Sequence, residues 1–490
     1  MKLTHVSLCA AALSAACSHA QPVPERAAPS IVADGCLEKA VALRHHVVDL
    51  ELRLDPPTLH GSAAVTVRAL RDTSRVALDA KRLKVARVTT PDGGNARFTV
   101  ADDRLCVTLP SVLHAGEERT LDVIYEATTD KGTPTFSGGA VWAGYQASAW
   151  MPTLQDPAER ATLTLMITTQ PGVKVIGSGA ATGTKPAESD RVTHAFSLTR
   201  PTPPFLYAFA AGRFDEAVMT IGNGQRLRSL GLPGADLSRV TGLTATMVDF
   251  LTSHTGAELP SLEYTQVFVP GDAAQEAAGF ALLSASSIDD VKRDETEDWI
   301  FSHELAHQWF AWLIPCADFS DFWLNEGFAT FFVAAMKEQR HGRAAYDREV
   351  ALWRKRSAKV HTEGKDAPVS LSDPSSPPHA GPTEAQLQPR GVTYSRGALV
   401  LDRLRTELGD AVFWNGVRGY VRDRAGKDAR TEDLRRAMET ASGKDLKPFF
   451  DTWVYRPAPT LLTLLRQNRR ETWPEAKRSS EEIAVRRAER

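Results

Sequence analysis

The run His303-Glu304-Leu305-Ala306-His307 sets two histidines four residues apart, with a carboxylate between them. On a helix, residues at that spacing lie one turn apart on a single face, so both imidazoles can reach one ion. Neutral imidazole is a good zinc donor, and a catalytic zinc takes three protein ligands and leaves one position for water. Glu304, beside the first histidine, is placed to act on such a water as general base. The flanking Trp299-Ile300-Phe301-Ser302 and Trp309-Phe310-Ala311-Trp312-Leu313 contain no Gly or Pro. They read as one buried, aromatic-rich helix from about Asp294 to Leu313. Burying two histidines and a glutamate there is costly unless something pairs with them, and a metal ion would do so. A break follows at Ile314-Pro315-Cys316-Ala317-Asp318, then a second helical stretch from about Asp321 to Arg340. It holds Trp323-Leu324-Asn325-Glu326-Gly327-Phe328-Ala329, with 18 residues between His307 and Glu326. A turn between two helices can bring Glu326 back over the histidine pair.

HELAHQWF, 18 residues and WLNEGFATFF together resemble the zinc metallopeptidase family of aminopeptidase N and of the leukotriene-hydrolysing epoxide hydrolase. The resemblance implies one zinc per chain, held by His303, His307 and Glu326, with Glu304 as general base. Downstream, Val392-Thr393-Tyr394-Ser395-Arg396-Gly397-Ala398-Leu399 resembles the family's Tyr-Glu-Lys-Gly stretch. This implies that Tyr394 donates a hydrogen bond to the oxyanion, a role that needs a donor aimed at developing charge. Upstream, Ala273-Ala274-Gln275-Glu276-Ala277-Ala278-Gly279 falls where the family carries Gly-Ala-Met-Glu-Asn, after the apolar strand Tyr264–Pro270. The resemblance puts a substrate-binding sheet edge in this region. Gly, Met and Asn are replaced here by Ala, Gln and Ala, and the glutamate is kept. By the same resemblance Glu276 grips the substrate's α-ammonium and limits cleavage to the first peptide bond.

The expected function is therefore an exported zinc metallo-aminopeptidase acting on peptides. Two alternatives stay open: a zinc endopeptidase or epoxide hydrolase on the same site, and a non-catalytic binding protein of the same fold. A scaffold has no need of the HExxH run, Glu326 and Tyr394 together.

The elements that must position these residues divide the chain. From His45 to about Phe214 short runs alternate apolar with polar residues, as half-buried strands do: Val47–Leu54, Ala63–Ala69, Leu105–Leu109, Leu121–Tyr125, Thr162–Thr168 and His194–Leu198. From about Asp215 the pattern turns helical, with stretches at Leu237–Ser253, Ala344–Val360, Gly397–Glu407 and Thr431–Ala441 beside those named above. A proline-rich loop at 364–391 delivers Tyr394. The resemblance continues through Trp150-Met151-Pro152 and Gln155–Ala161, a turn before a strand, and through Phe449–Trp453. The expected fold is multidomain α+β: a β-rich, saddle-like N-terminal domain at 36–214, then a thermolysin-like, mainly helical catalytic domain at 215–455. A charged tail fills 456–490. Larger relatives continue with a big helical domain, so a more open cleft is expected here.

Composition bounds the rest. Of 490 residues 42% are hydrophobic and 24% charged, and the formal net charge of −2 gives no reason to propose a nucleic-acid partner. No stretch reaches the roughly 18 consecutive apolar residues of a membrane span. Lys2, the apolar run Val6–Cys17 and Ser18-His19-Ala20 read as a signal peptide over residues 1–20. A flexible lead follows at 21–35. Ser14-Ala15-Ala16-Cys17 offers a competing lipoprotein reading with a lipid anchor at Cys17. Either implies a periplasmic or secreted bacterial protein. Export permits disulfides, and Cys36 and Cys106 are open to two readings, a bridge or two separate thiols. Cys316 lies in the turn after the histidine pair and is not expected to be a ligand.

Overall fold

The computed structural model describes residue 36 and residues 39–91, 93–130, 132–372 and 388–457. The expected signal peptide, the lead up to residue 35, Cys17, the middle of the proline-rich loop and the tail from 458 lie outside the described residues.

Among the described residues fourteen strands occupy the first half. They are β1 (Val41–Leu54), β2 (Pro57–Ala69), β3 (Thr73–Asp79), β4 (Leu83–Thr89), β5 (Arg97–Ala101), β6 (Arg104–Leu113) and β7 (Glu118–Ala127). Then come β8 (Thr135–Ser137), β9 (Ala140–Ala143), β10 (Ala161–Thr169), β11 (Lys174–Gly177), β12 (Ala180–Pro186), β13 (Val192–Thr202) and β14 (Phe209–Gly212). The period-two pattern works as read. In β1, Val48, Leu50 and Leu52 are buried while Asp49, Glu51 and Arg53 turn outward. Seven strands form the sheet β12-β13-β10-β1-β2-β7-β4, and smaller sheets run β3-β6-β5 and β11-β14-β9-β8. One core binds them, with Trp150 edge-on to Phe209 at 5.2 Å. A disulfide joins Cys36 to Cys106 on β6, which settles the question the sequence left open.

The second half departs from the helical reading. Residues from Asp215 first build a five-stranded sheet from β15 (Asp215–Thr220), β16 (Arg226–Gly231), β17 (Glu263–Val269), β18 (Ala274–Ala277) and β19 (Phe280–Ser284). Its order is β15-β16-β17-β19-β18, so β18, not the apolar β17, is the edge strand on the site's side. Its pairing with β19 makes a strand of the Ala-rich β18, against local propensity. Apolar residues of this sheet, Val267, Phe280 and Leu282 among them, pack against Ala140, Ile176 and Ala210 of the first half.

Among the described residues nine helices follow or intersperse: α1 (Leu237–Thr255), α2 (Ser286–Arg293), α3 (Trp299–Ala306), α4 (Trp323–His341), α5 (Arg343–Thr362), α6 (Gly397–Leu408), α7 (Asp410–Arg424), α8 (Thr431–Ser442) and α9 (Lys447–Trp453). Their apolar faces share one core, in which Phe310, Phe328 and Tyr420 stack in sequence with centroids 4.3 and 5.6 Å apart. The single helix expected over Asp294–Leu313 is not continuous. α3 ends at Ala306, and the next turn leaves helical geometry at Phe310 (φ −106°, ψ 59°) and Ala311. Among the described residues no helix is long and apolar enough to cross a membrane.

Candidate active site

His303 lies in the last turn of α3 and His307 caps it. Both are buried, as are Glu304 and Glu326. The break after α3 has a chemical consequence. It points the Phe310 carbonyl at His307, and Nδ1–H donates to that oxygen at 3.2 Å. The Nε2 lone pair is thereby left for a metal.

Glu326 enters from the first turn of α4. Its Oε2 lies 3.3 Å from His303 Nε2 and 3.6 Å from His307 Nε2, and the two Nε2 atoms are 3.2 Å apart. Ligands about 2.0–2.1 Å from a tetrahedral zinc are separated by roughly 3.3 Å, so these three donors fit one ion. Glu326 Oε2 is also buried with no hydrogen-bond partner, an arrangement that a cation would satisfy. Glu276, Glu304 and His307 also converge, with ligand atoms within 4.8 Å of one another. The set with two imidazoles has the donors zinc prefers, and it leaves Glu304 and Glu276 free to act on what enters.

The electrostatics suit a cation at the centre. Burial opposes charging His307, yet the carboxylates of Glu276, Glu326 and Glu304 lift it to about 10. Burial alone would raise Glu326, but the two histidines hold its carboxyl below the ordinary range. Burial pushes Glu304 well up, with Glu276 and Glu326 adding to the rise, and a dication beside it would draw it back down.

Tyr394 lines the same cleft, its ring stacked on His303 with centroids 5.8 Å apart and planes 12° apart. Burial, then the Glu326 carboxylate, push its hydroxyl far above the ordinary value, so it keeps its proton and stays a donor. The motif around it is structural. Arg396 pairs with Asp366 at 2.5 Å and donates to the Ala367 carbonyl at 2.8 Å, anchoring this turn. Gly397 meets Gly327 of α4. A Cβ on Gly327 would lie 3.0 Å from the Gly397 carbonyl carbon, so the glycines after Glu326 and Tyr394 let the two segments touch backbone to backbone.

Glu276 is not a solvated loop charge. It is buried on β18, where Gln275 Nε2 donates to its Oε2, and burial pushes its carboxyl up to about 7. Gln308, directly after the histidine motif, fixes β18 to the histidine pair's segment. Its Nε2 donates to the Ala277 carbonyl and its Oε1 accepts from Gly279 N, both at 3.1 Å. Asn325 likewise ties the α4 start to the preceding turn, accepting from Cys316 N at 3.1 Å. The six expected residues thus line one cleft of about 310 Å³. Sequence reasoning missed Arg390, which lines the same cleft with its guanidinium 4.4 Å above the Tyr394 ring. Its position four residues before Tyr394 was the available signal. Cys316 is buried and free, and it takes no part in the cleft.

This fold has known counterparts. The peptidase M1 N-terminal domain matches residues 43–206, and the peptidase family M1 domain matches residues 246–453. The chain belongs to peptidase family M1. Among its relatives, glutamyl aminopeptidase of Bitis rhinoceros is 26% identical over 313 residues, 62% of this chain and 32% of the relative. Aminopeptidase N of Streptomyces lividans is 30% identical over 209 residues, 40% of this chain and 23% of the relative. The probable aminopeptidase 1 of Saccharolobus solfataricus is 24% identical over 417 residues, 79% and 50% of the two chains. This chain therefore spans between about a quarter and a half of these relatives' length. The fold also matches a solved M1 zinc metallopeptidase of Deinococcus radiodurans, with a TM-score of 0.67 and 24% identity, covering 86% of this chain and 96% of that one. A β-rich N-terminal domain followed by a helical catalytic domain is thus the M1 architecture.

Proposed function

We propose that this chain is an exported aminopeptidase with one zinc ion, cleaving the first residue from peptides. The observation that carries the reading is the place of Glu276, a buried carboxylate with an oxygen within 4.8 Å of a Glu304 oxygen and a His307 ring nitrogen. A substrate ammonium paired with it leaves room for one residue before the reacting carbonyl. A bound zinc would polarise that carbonyl and lower the pKa of its water toward ~7. Glu304 takes a proton from the attacking water and passes it to the leaving amine. Tyr394 donates to the carbonyl oxygen as its charge develops. β18 presents a free strand edge along the cleft, where a substrate backbone adds as a further strand. His303, His307 and Glu326 would hold the ion.

The test compares peptides with free and acetylated amino termini on wild type and Glu276→Ala. Wild type should turn over only the free form, and the variant should lose about 10²-fold or more in kcat/KM, as when a buried charge loses its partner. Equal turnover of both forms by wild type would favour the endopeptidase reading. That reading draws support from Gln275, whose amide already takes one Glu276 oxygen.

A further inference from the structure

The cleft has two flanks that differ in charge. On one, Glu276, Glu304 and His307 converge, with ligand atoms within 4.8 Å of one another. On the other, Tyr394 stacks on His303, and the Arg390 guanidinium lies 4.4 Å from the Tyr394 ring centroid. Trp299, one turn before His303 on α3, extends this second flank. Its ring lies 6.2 Å from that of His303 and 46% of its surface is exposed, so the flank is open to solvent. Among the described residues that line the cleft, Arg390 is the one Arg or Lys, against the carboxylates of Glu276, Glu304 and Glu326. Among the described residues no carboxylate pairs with its guanidinium and no hydrogen bond holds it. Its charge is left to whatever enters.

We propose that Arg390 selects dipeptides by binding the free carboxylate at the end of the substrate. The inference rests on the aminopeptidase reading above and narrows its substrate class. A substrate whose ammonium meets Glu276 lies first on the His307 flank, and its carbonyl then reaches the metal ligands and Tyr394. The rest of the peptide leaves along the His303 flank. An extended residue advances about 3.3–3.6 Å. In a dipeptide the terminal carboxylate therefore falls one such step past the carbonyl that Tyr394 polarises, within reach of the guanidinium beside that ring. A planar guanidinium meets a carboxylate with two parallel hydrogen bonds. Without Arg390 that carboxylate would face only repulsion from Glu276, Glu304 and Glu326. Each further residue carries the carboxylate another step outward, so a longer peptide gains less, and a terminal amide gains none of the charge pairing.

The test uses the zinc-loaded chain and measures leucine released from Leu-Ala, Leu-Ala-Ala and the C-terminal amide of each. Leu-Ala should exceed its amide in kcat/KM by about three- to fivefold, the scale of an ion pair open to solvent, and chiefly through KM. Leu-Ala-Ala and its amide should differ less. Arg390→Gln should bring the Leu-Ala ratio to one or below, and Arg390→Lys should keep part of it. Each ratio is taken within one protein, so a general loss of activity does not move it. Equal rates on Leu-Ala and its amide, or a ratio unmoved by Arg390→Gln, would overturn the inference alone. A tripeptide ratio as large as the dipeptide's would refute the selection for length. A charge preference shown by Leu-Asp amide over Leu-Asn amide, but not by Leu-Ala over its amide, would give Arg390 to a side chain and refute the terminal-carboxylate role. No leucine released from any of these peptides, or from leucyl coumarin amide, would overturn the aminopeptidase reading and this inference with it.

Discussion

His46 makes the β-rich half of the molecule sensitive to acid in a way that can be calculated. It lies on β1, fully buried, with both ring nitrogens lacking hydrogen-bond partners and its ring edge-on to Tyr207 at 5.9 Å. Burial, and to a lesser degree His45, lower it from 6.5 to about 3. The unfolded chain therefore binds a proton between these values that the folded chain refuses, and stability must fall as pH drops through that window. Linkage gives a loss of about 2 kcal/mol at pH 5 and about 3 kcal/mol at pH 4, relative to neutral pH. At pH 5 the figure hardly depends on the folded value, because that value lies well below 5. The perturbation is His46→Leu, which keeps an apolar side chain of similar size and removes the titration. Urea unfolding at pH 7.5 and pH 5, followed by tryptophan fluorescence, should show the variant losing about 2 kcal/mol less than wild type between the two conditions. Identical pH slopes for the two proteins would refute the reasoning.

Glu304→Gln should keep zinc while kcat falls by about 10²- to 10⁴-fold, and Glu326→Ala should lose the metal; elemental analysis beside kinetics checks both. Zinc lost from Glu304→Gln but kept by Glu326→Ala would show that the wrong carboxylate set was chosen. Tyr394→Phe should lower kcat by about 10²- to 10³-fold with little change in KM, and a change in KM alone would remove it from the reaction. Gly327→Ala forces a Cβ to 3.0 and 3.1 Å from Gly397 backbone atoms. It should lower kcat about three- to tenfold with zinc content kept, as expected of a shift of a few tenths of an ångström, and wild-type kcat would contradict the contact's role.

The site was legible because its chemistry needs fixed residue types at fixed spacings. His303 and His307 announce a shared face, and the glutamate after the break had one way to reach them. The β-rich half was legible where one face of a strand is buried, as in Val48-Asp49-Leu50-Glu51-Leu52. The second sheet was not, because Ala274–Ala277 has no strand signature of its own and Phe280–Ser284 is buried throughout, which erases the period of two. The break at Phe310 and Ala311 also escaped, since no Gly or Pro marks it. Tertiary packing imposes it, through the stack of Phe310 on Phe328 and the wide-turn hydrogen bond from Trp312 N to the His307 carbonyl at 3.0 Å. Glu276 was found in sequence, but its burial depended on β18 being a strand.

The meeting of Gly327 and Gly397 also bears on motion. Side chains at most helix contacts can change rotamer and absorb small displacements. Here two backbones touch with nothing between them that can rotate. Glu326 sits one residue before one glycine and Tyr394 three before the other, so neither can drift without carrying its neighbour. Thermal movement of Glu326 and of Tyr394 should therefore be correlated, and their separation should vary less than either one's distance from Glu276, which rides on β18 of the five-stranded sheet.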